Sequence, residues 1–160
     1  MLTKQLVRML QYEYRRGKPD KFHINNALRY YFETHDKDEI KRNRITLSQF
    51  NMNTYNKLVI HNDLDFSLNM ILWGKNSFTK IHKHNSNCNF VVLDGAVLET
   101  KYEDKDFLKI SGCSELDIGD ISSIEAGWFH NVFNIHPCKT MSLHVYDNHD
   151  YNQNINLLMG

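Results

Sequence analysis

From Thr46 onward the chain breaks into short apolar runs separated by turn signals, and this pattern limits it to a small set of β architectures. The runs fall at 57–60, 66–73, 89–93, 96–102, 121–124, 131–135 and 141–146. Asn62-Asp63, Asp94-Gly95, Ser111-Gly112 and Gly119-Asp120 supply turn chemistry between several of them. Runs of this length are too short for ordinary helices and suit strands of an antiparallel barrel or sandwich. The start of the chain is different. Leu2, Leu6, Leu10 and Tyr14 recur at helical spacing among Lys4, Arg8, Arg15 and Arg16, which predicts an amphipathic helix. A second helix is expected near 24–34, with Ile24, Ala27, Leu28, Tyr31 and Phe32 on one face, and the charged segment from Asp36 to Arg44 ends the helical part. The sequence thus predicts one domain over 1–160, with two or three helices in 1–45 and a mainly β barrel in 46–160. It contains no internal repeat and no linker.

Composition narrows the function classes. At 160 residues and 41% hydrophobic, the chain can bury a real core. Net charge is zero without a basic block, so neither nucleic acid nor an anionic membrane surface is an expected partner. Apolar runs fall far short of the roughly 20 residues that span a bilayer. The first helix lacks the continuous apolar stretch of a signal peptide. Three cysteines, Cys88, Cys113 and Cys138, form an odd set that suits free thiols in a cytoplasmic protein, which is expected to be a monomer.

The chemistry is carried by histidine. On a strand, residues i and i+2 share a face, so His82 and His84 would project together. They could grip one metal ion if a third ligand arrived from another strand, and His130 is the candidate. Alone, this pattern is more often one of surface or core histidines than of metal ligands. The flanking residues add to it. Gly74 precedes the histidine pair, with Cys88 and Gly95 after it, and Gly119, Glu125, Gly127, His130 and Asn134 then follow in order. This series resembles the two motifs of the cupin superfamily, with Cys88 at the position of the usual metal-binding Glu and Glu125 at that of a Pro. The resemblance implies a cupin barrel, a double-stranded β-helix of jelly-roll type.

With Cys88 in place of the carboxylate, the site becomes three neutral imidazoles with open coordination positions, a set that suits iron among other metals. This resembles the cysteine dioxygenase family. Segments 6–14, 50–59, 66–74, 82–100, 129–132 and 141–146 look like family segments in family order. The resemblance implies that His82, His84 and His130 hold Fe(II), and that L-cysteine and O2 meet there to give cysteine sulfinate. It also implies that Cys88 and Tyr146 form a thioether, and that Ser142 and His144 relay hydrogen bonds to Tyr146. Tyr55 matches a family Tyr near the substrate carboxylate. At the position of the family's carboxylate-binding Arg stands Lys57, which keeps the charge but loses the planar two-pronged hydrogen bond. The carboxylate is then held less tightly, or the preferred substrate is another small thiol such as 3-mercaptopropionate. Other readings are a non-catalytic cupin that binds a metal or thiol, and a cupin isomerase. Only 14 residues follow Tyr146, where the family usually continues through further strands, so a more open mouth is expected.

Overall fold

The computed structural model describes residues 2–35, 38, 39, 42, 54–103, 106–147 and 155–157. The charged segment expected to close the helical part lies mostly outside them. Helices α1 (Leu2–Arg15) and α2 (Lys21–Thr34) open the chain, as the apolar spacing predicts. Asp20 caps α2, its carboxylate accepting from the His23 backbone N–H at 3.1 Å, which satisfies one of the orphan donors of the first turn.

Ten strands follow among the described residues: β1 (Tyr55–Asn62), β2 (Phe66–Trp73), β3 (His82–His84), β4 (Cys88–Asp94), β5 (Ala96–Glu103), β6 (Asp106–Asp117), β7 (Ile121–Ile124), β8 (Phe129–Asn134), β9 (Thr140–Asp147) and β10 (Ile155–Leu157). They form two antiparallel five-stranded sheets, in the orders β1-β2-β9-β4-β7 and β10-β3-β8-β5-β6.

Period-two alternation explains why the first sheet is buried on both faces. Phe66, Leu68, Met70 and Leu72 of β2, Val91 and Leu93 of β4, and Met141, Leu143 and Val145 of β9 pack with Leu6, Leu10, Ile24, Leu28 and Tyr31 of the helices. The helices thus cover the outer face, and each fully buried side chain there contributes about 1.5–3 kcal/mol. The intervening residues Ile71, Trp73, Cys88, Phe90, Val92 and Tyr146 turn the other way. They meet Val97, Leu116 and Val132 of the second sheet. The inner face of this sheet is left to carry chemistry.

Two strands escape the sequence pattern. Strand β6 lies at a sheet edge and is exposed from Lys109 to Glu115, so no apolar alternation marks it. Ser111-Gly112, which reads as a turn, is instead a β-bulge. Lys101 pairs with Gly112 and Tyr102 with Ile110, leaving Ser111 unopposed. The tail, expected to leave the mouth open, adds β10 beside β3, with Ile155 opposite His84 and Leu157 opposite His82.

Candidate metal centre

Strands β3 and β8 bring the three histidines together. His82 and His130 are direct partners in the ladder, and His84 shares the face of His82 two residues on. All three are buried. The Nε2 atom of His84 lies 3.1 Å from that of His82 and 3.3 Å from that of His130. In His82 and His130 the other nitrogen fixes the tautomer. His82 Nδ1–H donates to the Lys80 carbonyl at 2.6 Å, and His130 Nδ1–H donates to Glu99 Oε2 at 2.9 Å. Lone pairs on Nε2 are therefore turned inward.

Burial, and then the neighbouring His130, depress the pKa of His82 to about 4, and burial followed by the same neighbour takes His84 to about 2. Both rings are thus neutral near pH 7, the form that binds metals. Inward lone pairs repel one another unless a cation sits between them. An ion about 2.1 Å from each nitrogen would set the nitrogens about 3.0–3.4 Å apart for right-angle to tetrahedral arrangements, so the donor set fits a metal ion. Among the described residues this trio is the histidine cluster able to hold one.

The opposite wall comes from the first sheet. Cys88 of β4 stands directly across from Tyr146 of β9. His144, two residues before Tyr146 and on the same face, stacks on Phe90 at 4.6 Å between ring centroids. Its Nδ1 lies 3.5 Å from the Tyr146 hydroxyl and 3.9 Å from Cys88 Sγ, while its Nε2 lies 2.7 Å from Ser142 Oγ. Trp73 Nε1–H donates to Ser142 Oγ at 2.8 Å. Trp73 can only donate, so Ser142 accepts from it and gives its own proton to His144 Nε2. The Nδ1–H of His144 then faces Tyr146. Burial, then the proximity of His130, brings the pKa of His144 down to about 3, and the ring stays neutral. Burial, and then the Glu99 charge, raise the Cys88 thiol well above its ordinary value, so it remains protonated.

Between the walls lies a cavity of about 100 Å3, lined by the three histidines, His144 and Tyr146, with Tyr55 and Lys57 of β1 at its side. Burial lowers the Lys57 pKa. The expected metal-site and substrate-site residues His82, His84, His130, His144, Tyr146, Tyr55 and Lys57 line this cavity, while Ser142 and Cys88 stand behind His144. Asn134, the last residue of the second motif, braces the wall from within. Its amide donates to the carbonyls of Gly74 and Cys138 at 2.8 and 2.9 Å, and its Oδ1 accepts from Thr140 at 2.8 Å. Two residues were not foreseen. Trp73 reads as core from its aromatic strand, although its parity matches Ile71 on the inner face. Glu99 alternates with Lys101 and Glu103 along β5, yet it is buried against His130 and Ser122. Burial resists its ionisation, but the hydrogen bonds from His130 and Ser122 and the nearby charges outweigh that and hold its pKa below the ordinary value.

Fold and site together define a cupin with a three-histidine centre suited to a metal ion. The sequence model of the cysteine dioxygenase type I family matches residues 28–153, and the chain belongs to that family. It is thus a cupin metal-dependent dioxygenase. No curated protein matches the chain. Among solved structures, Peruvianin-I, a cysteine peptidase from Thevetia peruviana latex, is similar at a TM-score of 0.58 and 15% identity, over 68% of this chain and 69% of that one. An oxalate oxidase is similar at a TM-score of 0.56 and 15% identity, over 68% of this chain and only 57% of its own. A Klebsiella pneumoniae protein with a double-stranded β-helix domain gives 0.57 and 14%, over 69% and 90%. At such identities the likeness is one of fold. Among the described residues, no helix is long and apolar enough to cross a membrane.

Proposed function

We propose that the chain is an iron-dependent thiol dioxygenase that oxidises L-cysteine to cysteine sulfinate. The observation that carries this reading is the set of inward Nε2 atoms facing Tyr146 across a cavity of about 100 Å3, with Cys88 paired to Tyr146 in the ladder behind it. That volume is well under the roughly 300 Å3 at which drug-sized ligand pockets begin, so only a molecule of a few heavy atoms fits. His82, His84 and His130 would hold a ferrous ion, which would supply the redox chemistry for a thiolate to react with O2. The overall step balances as RSH + O2 → RSO2H, with both oxygen atoms passing to sulfur and no external reductant.

The chain's own groups prepare that reaction. Lys57 reaches the substrate carboxylate from β1, with Tyr55 beside it. The Tyr146 hydroxyl offers a hydrogen bond to the reacting groups. Its position is held by the Nδ1–H of His144, which Ser142 and Trp73 orient in turn. A thioether between Cys88 and Tyr146 would fix the phenol ring. Apolar Ile71 and Val132 exclude water from the remaining wall.

Lys57 supports a second reading, in which the substrate is a carboxylate thiol without an amine, such as 3-mercaptopropionate. The test is oxygen uptake by the Fe(II)-loaded protein with L-cysteine, 3-mercaptopropionate and cysteamine. Uptake with the two carboxylates above cysteamine is expected. No uptake with any of the three, at stoichiometric bound iron, overturns the proposal and leaves a binding protein.

A further inference from the structure

Glu99 holds a position that the proposed reaction does not use. It stands on β5, where Lys101 is the ladder partner of His130 and Val132 that of Glu99, so Glu99 and His130 are diagonal neighbours. Its carboxylate is 1% exposed. It accepts from His130 Nδ1–H at 2.9 Å and from the Ser122 hydroxyl, and the Lys101 ammonium lies 3.7 Å away. An acceptor for so many donors is a carboxylate anion. The comparison with His82 is informative, because the Nδ1–H of that ring meets only a neutral carbonyl, that of Lys80. Cys88, packed behind His144, offers no carboxylate.

We propose that Glu99 is a positioning residue that locks His130 as an Nε2 ligand and places beside the three imidazoles a negative charge that favours a metal dication there. A carboxylate that hydrogen-bonds a metal-binding imidazole fixes the ring and makes its free nitrogen more basic. Here the anion sits one residue removed from the metal, leaving coordination positions open that a carboxylate ligand would fill. The inference rests on the metal-site reading and deepens it.

The test is Zn(II) affinity, measured by chelator competition and requiring no turnover. In Glu99→Gln the amide can still accept from His130 and donate to Ser122, so the contacts survive and the charge is lost. Affinity is expected to fall about 10- to 100-fold, with an unchanged melting temperature. Glu99→Leu, which also removes the acceptor, should fall further. Lys101→Met alters a part-exposed residue and leaves the anion less neutralised; affinity should rise about two- to five-fold. The midpoint potential of bound iron should rise in Glu99→Gln, since the ferric state loses more stabilisation. Equal Zn(II) binding by the parent and Glu99→Gln, or weaker binding by Lys101→Met, overturns the role of Glu99 alone. A parent chain that binds no metal removes the metal-site reading and this inference together.

Discussion

Cys88 and Tyr146 face each other as direct partners across the ladder of β4 and β9, both buried. Side chains so placed have Cβ atoms about 4.5–5.5 Å apart, close enough for a bond from sulfur to the ring edge after small rotations. Exposure to thiol and O2 should therefore yield a chain two hydrogens lighter by intact mass after disulfide reduction, with the hydrogens and electrons passing to oxygen. Cys88→Ser should abolish the loss. A mass loss that persists in Cys88→Ser would assign the modification to another pair and remove the thioether from this site.

Lys57 reaches the cavity from the same strand face as Tyr55. A charge-assisted hydrogen bond contributes about 1.5–3 kcal/mol, so Lys57→Met should raise KM for L-cysteine and 3-mercaptopropionate about ten-fold or more, while cysteamine is little affected. Lys57→Arg should lower KM for L-cysteine through two-pronged contact. Steady-state oxygen uptake measures both. A fall in affinity with Arg would show that the pocket is shaped for lysine.

The alternation on β9 made both faces legible in sequence, because Met141, Leu143 and Val145 alternate with Ser142, His144 and Tyr146 under a helical cover. The histidine site was legible for a similar reason, since an i, i+2 pair on a strand must share a face. Strand β5 was legible only as an apolar run, without its faces. Val97 and Glu99 are buried while Leu98 and Thr100 are only half-covered. Alternation identifies a polar face, but it does not say whether that polarity meets water or a buried imidazole.

Ser142 joins Trp73 to His144 at a fully buried position. Ser142→Ala would strand the Trp73 N–H and one His144 nitrogen, at a cost of about 1–3 kcal/mol for each unsatisfied group. Chemical denaturation should show that loss, and kcat should fall more than KM rises because Tyr146 is less well held. A stable variant with unchanged kcat would separate this chain of hydrogen bonds from catalysis.

Gly95 makes the turn from β4 to β5 with φ +88°, and a Cβ there would lie 2.9 Å from the Thr140 backbone Cα and 2.2 Å from its hydroxyl. The left-handed conformation alone costs a side chain about 1–3 kcal/mol. The clash would also disturb Thr140, whose hydroxyl hydrogen-bonds the Ala96 backbone and Asn134. Gly95→Ala should therefore lower stability by more than the conformational cost, read as a lower denaturation midpoint. A midpoint unchanged from the parent would show that the turn yields.

Acid should unfold the metal-free protein by charging its buried imidazoles. The pKa values of His82, His144 and His84 are depressed from 6.5 to about 4, 3 and 2 by burial, so between pH 6.5 and 4 the unfolded chain binds more protons than the folded one. Stability is then complete above about pH 6.5 and declines as pH falls toward 4, by up to about 1.4 kcal/mol per pH unit for each group. Glu99, held below its ordinary 4.5, adds its loss only in more acidic solution. Protons and metal compete for the same Nε2 lone pairs, so Zn(II) should move the acid midpoint to lower pH and a chelator should restore it. Circular dichroism through an acid titration, with and without Zn(II), measures this. Flat stability from pH 6.5 to 5 in the metal-free chain would contradict buried neutral rings at His82, His84 and His144, and a midpoint indifferent to Zn(II) would contradict a metal centre at the three histidines.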